Sequence, residues 1–107
     1  MKVLMNINDL EKLINSDGIS IILIGSAGCM PCKAIGARID SFLASNKDIK
    51  GIYVELECFK EYLASMSILS VPTVLVYAMG KLQIKEAGYF SLDKIFNSIL
   101  RIKELIS

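Results

Sequence analysis

The sequence predicts an α/β fold, a three-layer sandwich with a mixed sheet at its centre. Three observations predict it. Strand-like and helix-like patterns alternate along the first part of the chain. Ile19 to Ile24 is apolar on both faces and β-branched, as a buried central strand must be. The last part reads as a hairpin followed by a helix, which adds antiparallel pairing to a parallel start. With 107 residues there is room for one core, so a single domain over residues 1–107 is expected.

Taken in order, Lys2 to Met5 is a short apolar first strand. Asn8 stands three residues before Glu11 and reads as the cap of a short helix with Leu10, Leu13 and Ile14 on one side. Asp17-Gly18 ends that helix, and the central strand follows. A second helix, Lys33 to Ser45, carries Ile35, Ile39, Phe42 and Leu43 at helical spacing. Gly51 to Cys58 alternates: Ile52, Val54, Leu56 and Cys58 face one way, and Tyr53, Glu55 and Glu57 the other. Phe59 to Met66 reads as a short helix and Val71 to Tyr77 as a strand. Met79-Gly80-Lys81 reads as a turn and Leu82 to Glu86 as the partner strand. Ser91 caps a last helix whose inner side holds Leu92, Ile95, Phe96, Ile99, Ile102 and Ile106.

Composition excludes several classes. At 53% hydrophobic and 21% charged, the chain is not disordered. Twelve basic against 11 acidic residues, with no basic tract, imply no nucleic-acid partner. No apolar run approaches the ~20 residues of a membrane span. Met1 to Asn6 lacks the apolar core of a signal peptide, so a cytoplasmic location is expected. Histidine is absent, which removes the usual general base and the commonest zinc ligand.

The chemistry is concentrated in Gly25-Ser26-Ala27-Gly28-Cys29-Met30-Pro31-Cys32-Lys33, where the buried strand gives way to a helix. The first turn of a helix has unpaired N–H groups and the positive end of the dipole, and both favour a thiolate. Positions i and i+3 are neighbours there, so Cys29 and Cys32 can close a small disulfide. Cys-x-x-Cys in this setting reads as a redox dithiol. Lowering a thiol pKa from ~8.5 to ~7 raises the thiolate fraction roughly sixteen-fold at pH 7. Lower nucleophilicity returns about five-fold of that, so the larger gain is in leaving-group ability.

Cys29-Met30-Pro31-Cys32-Lys33 resembles the thioredoxin signature Cys-Gly-Pro-Cys-Lys, with Met for Gly. Val71-Pro72-Thr73 resembles the family's Ile-Pro-Thr segment, and Gly80 and Gly88 follow at thioredoxin-like distances. The resemblance covers nearly the whole chain. It implies the thioredoxin fold, a central mixed five-stranded sheet with helices on both faces. It implies a thiol-disulfide oxidoreductase in which Cys29 attacks a substrate disulfide and Cys32 resolves the mixed disulfide. It also implies that Pro72 is cis, that Val71 and Pro72 meet an extended substrate segment, and that Met30 and Pro31 shape the dithiol. Implied partners are disulfide-containing proteins and a thioredoxin reductase, acting on a monomer without cofactor or metal. Pro31 leans the poise towards a reductant; such dithiols span ~150 mV, or about 7 kcal/mol.

Several positions depart from the family. Gly28 stands where thioredoxins have Trp, so an aromatic rim for partner recognition is expected to be missing and the loop to be flexible. The family's buried Asp, six residues before the first Cys, is Leu23 here. The place of the Lys that pairs with that Asp falls at or near Glu55, so Glu55 is the candidate buried proton acceptor for Cys32; the plainer reading is an ordinary polar strand residue. Cys58 reads as a small buried apolar residue, with a regulatory thiol as the alternative. Three rival functions stand beside this one: a glutaredoxin-like enzyme, suggested by Ser70-Val71-Pro72; a metal-binding module using Cys29, Cys32 and Cys58; and a non-catalytic interaction module. Tetrahedral zinc wants four ligands, and two intact cysteines argue against a purely structural role.

Overall fold

The computed structural model covers Met1 to Ser107. Its elements are β1 (Lys2–Val3), α1 (Ile7–Ile14), β2 (Ile19–Gly25), α2 (Met30–Ser45), β3 (Lys50–Glu55), α3 (Lys60–Ser65), β4 (Thr73–Ala78), β5 (Lys81–Ala87) and α4 (Leu92–Ile106). The five strands form one sheet in the order β1-β3-β2-β4-β5. β1 and β2 each run parallel to β3, and β4 runs antiparallel to both β2 and β5. The sheet is therefore mixed, as expected.

Each face of the sheet has its own core. Ile22, Ile24, Val54 and Leu75 point to one side and pack with Leu10 of α1 and Leu63 of α3. Ile21, Leu23, Val74 and Val76 point to the other and pack with Ile39 of α2 and with Ile95 and Ile99 of α4. Period-2 alternation along β2 and β4 feeds both layers, which is why these two strands have no polar face. The last helix starts where its cap predicts: the Ser91 side chain accepts the Lys94 N–H.

Local readings shift in three places. Helix α1 is capped by Asn6, whose side chain accepts the Asn8 N–H, so Asn8 already lies in the first turn. Helix α2 starts at Met30 rather than Lys33, because Pro31 fits a first turn, where its missing N–H costs nothing. Strand β3 stops at Glu55, and Leu56–Cys58 forms a 3₁₀ turn. Cys58 therefore leaves the sheet and is exposed, not a buried filler.

Candidate active site

The early start of α2 makes Cys29 its N-cap, with an extended backbone, and places Cys32 in the first turn. The Cys32 N–H, one of the helix's free donors, bonds to Cys29 Sγ at 3.2 Å. That is the hydrogen bond and dipole environment that stabilises a thiolate at Cys29. The two cysteines are joined as a disulfide, with Cα atoms 5.3 Å apart. Cys32 is 3% exposed, while Met30 between them is 71% exposed. The preceding loop is held by the Cys29 N–H on the Ser26 carbonyl and the Ala27 N–H on Glu55 Oε1. Its small residues are therefore tethered, rather than free as expected.

Cys29 opens on an apolar groove of about 450 Å³, lined by Pro31, Ile35, Val71, Pro72, Tyr89 and Phe90 among others. The Val71–Pro72 bond is cis. Gly88, with φ +77, donates its N–H to the Pro72 carbonyl and fastens the β5–α4 loop beside it. Outside helices and strands no backbone hydrogen bond uses Val71, so its N–H and C=O remain available. The expectation of a missing aromatic rim is corrected here. Tyr89, fully exposed, and Phe90 supply aromatic surface from the far end of the chain.

Cys32 opens the other way, on a cleft of about 370 Å³ that it shares with Tyr53, Ser26, Ala27 and Lys33. The register places the residue opposite Leu23 two positions before Glu55. Tyr53 is the β3 partner of Leu23, and Glu55 is the partner of Gly25. Glu55 is half-buried, not buried, and its other carboxylate oxygen accepts the Tyr53 hydroxyl at 3.0 Å. Tyr53 faces the side opposite Ile52 and Val54, in line with the alternation, and packs against the α2-side core. Burial, and then the Glu55 carboxylate, push its phenol up to about 12.

No protein-family model matches the chain. A thioredoxin of Mycoplasmoides gallisepticum is 24% identical over 95 residues, 89% of this chain and 95% of the relative. The thioredoxin-like protein YdfQ of Bacillus subtilis is 23% identical over 105 residues, 98% of this chain and 94% of that one. The X-ray structure of Fasciola hepatica thioredoxin superposes with a TM-score of 0.82 at 25% identity, covering 94% of this chain and 98% of that one. The chain has the thioredoxin fold. Within this thioredoxin-like frame the aromatic surface comes from the β5–α4 loop, and the strand pair flanking the dithiol is Leu23 and Tyr53.

Proposed function

We infer that this thioredoxin-like protein is a thiol-disulfide oxidoreductase that reduces protein disulfides through Cys29 and Cys32. The observation that carries the reading is the cysteine pair at the first turn of α2. Cys29 caps the helix beside an open apolar groove, and Cys32 is buried behind it. Cys29 attacks the substrate disulfide and forms a mixed disulfide; Cys32 then displaces the reduced substrate. The free backbone groups of Val71 pair with an extended substrate segment, and Pro72, Met30, Pro31 and Tyr89 bound its path. A reductase returns electrons to the dithiol, and the chain works in the cytoplasm as a monomeric single domain without cofactor. No helix is long and apolar enough to cross a membrane.

The test is the redox equilibrium of the Cys29–Cys32 pair against glutathione and then dithiothreitol, read by thiol trapping with Cys58 replaced by Ala. A potential near ~−270 mV agrees with a reductant, and one near ~−200 mV refutes that direction. If no disulfide forms at any poise, the dithiol reading itself is refuted.

A further inference from the structure

Resolution of a mixed disulfide needs a destination for a proton. The attacking sulfur must become a thiolate before or while it attacks. Cys32 is 3% exposed, and the strand position beside it holds the hydrocarbon of Leu23. Tyr53, the β3 partner of Leu23, brings a polar side chain to this end of β2. A β-carbon built on Gly25 would lie 2.9 Å from Tyr53 Cε1, 3.0 Å from its Oη and 3.1 Å from Cys32 Cβ. The hydroxyl and the Cys32 side chain thus flank the space that a bare glycine leaves open. Both also line the same cleft. Tyr53 Oη spends its proton on Glu55 Oε2, so what it can offer Cys32 is a lone pair. Glu55 is itself fixed by the Ala27 N–H, in the loop that carries Cys29.

We propose that Tyr53 and Glu55 form a proton relay for Cys32. The proposal rests on the dithiol reading above. In the resolving step the Cys32 Sγ–H proton moves to Tyr53 Oη, and Tyr53 passes its own to Glu55 Oε2. The Cys32 sulfur pair forms the bond to Cys29 Sγ. The bond between Cys29 Sγ and the substrate sulfur breaks, and its electron pair stays on the substrate sulfur. Two electrons have left the dithiol, and the substrate disulfide is fully reduced. The proton on Glu55 then passes through solvent to the substrate thiolate, which restores the relay. A carboxylate is a far weaker base than a thiolate, so the relay acts while the S–S bond forms and stores no proton afterwards. Phenol deprotonation lies near 12, so the phenol stays neutral at working pH and hands protons on.

The other titratable and charged groups around the relay are Lys33 and Asp40 of α2 at the cleft, Cys58 beyond the end of β3, and Cys29 itself. The N-terminal amine bonds to Asp40. Removing either relay member changes the pH dependence of one step only.

The experiment is a single-turnover reaction of the reduced full chain, Cys58 replaced by Ala, with a chromogenic aromatic disulfide. Attack by Cys29 releases the first aromatic thiolate and resolution by Cys32 the second. Tyr53→Phe and Glu55→Gln are expected to leave the first phase unchanged and to slow the second about ten-fold or more at pH 6 to 7. The double variant is expected to be no slower than either single one, since the two act as a unit. All should converge on the parent near pH 9, where solvent base takes the proton. Second phases that track the parent at every pH overturn the relay. So does a slowing of both phases by one pH-independent factor, which marks a merely structural role. A parent that shows a first phase but no second removes the dithiol reading, and the relay with it. That failure is visible before any variant is made.

Discussion

Gly25 is the place where packing around Cys32 can be tested by adding one methyl group. Its β-carbon would meet Tyr53 Cε1 at 2.9 Å, the Tyr53 hydroxyl oxygen at 3.0 Å and Cys32 Cβ at 3.1 Å. Neither neighbour can swing aside freely. The ring is tied through its hydroxyl to Glu55, and the Cys32 Cβ sits in the first turn of α2. Relief requires movement of several tenths of an ångström in one of them, and overpacking of this kind costs about 1–3 kcal/mol. Replacing glycine in the unfolded chain gives back about 0.4–1 kcal/mol. The expected net effect of Gly25→Ala is therefore a loss of about 1–2 kcal/mol, or a drop of about 0.5–1 M in the urea midpoint. Gly28 provides the contrast, three residues on. A β-carbon there meets nothing within 4 Å, and its φ is not positive. Gly28→Ala should stabilise by about 0.4–1 kcal/mol. Urea unfolding of the oxidised proteins, monitored by circular dichroism, measures both. A Gly25→Ala protein as stable as the parent would refute the close packing of Tyr53 and Cys32 around Gly25, and two losses of equal size would refute the contrast.

Three further outcomes are expected. Tyr89→Ser should raise KM for a protein disulfide several-fold while leaving the melting temperature and the rate with a small-molecule disulfide unchanged, because this ring is fully exposed at the groove rim; equal losses with both substrates contradict a recognition role. Ser91→Ala removes the oxygen that accepts the Lys94 N–H and should cost about 1 kcal/mol in denaturant unfolding; an unchanged midpoint contradicts the cap. Stability should fall as pH rises from about 10 to 12, because the folded chain keeps the Tyr53 proton, at about 12, after the unfolded chain, titrating near 10, has lost it. Tyr62 and Tyr77, also raised chiefly by burial, act in the same direction, so Tyr53→Phe should make the fall shallower without abolishing it.

Features written locally in the chain could be read before the fold was seen. Ile19 to Ile24 is apolar but for Ser20, Cys29 and Cys32 have the spacing of one helical turn, and Ser91 precedes an amphipathic stretch; each signal needs no distant partner. What escaped depends on pairing between distant segments. Which β3 residue lies beside Leu23 is set by the β2–β3 register, and a shift of one residue changes the face of every side chain. Alternation continues through Leu56 to Cys58, but the backbone turns into a 3₁₀ helix, so the pattern outlasts the strand and wrongly buries Cys58. Tyr89 and Phe90 share a groove with Cys29, and Gly88 just before them is bonded to Pro72, a contact invisible in either segment alone.

The first turn of α2 divides the two halves of the chemistry between two openings. The groove of Val71, Tyr89 and Phe90 reaches Cys29, and the cleft of Tyr53 reaches Cys32. On the proposed function, substrate covers the groove when the mixed disulfide forms, and a covered site excludes the water that could take a proton there. A proton leaving Cys32 on the opposite side is not hindered by that cover. With Leu23 supplying only hydrocarbon and no histidine in the chain, the side chains that can serve the second opening are few. The Tyr53 hydroxyl, held by Glu55 and close to Gly25, belongs to a side chain that lines the same cleft as Cys32. The absence of a β-carbon at Gly25 is thus what leaves room for the Tyr53 side chain and the Cys32 side chain beside the end of β2.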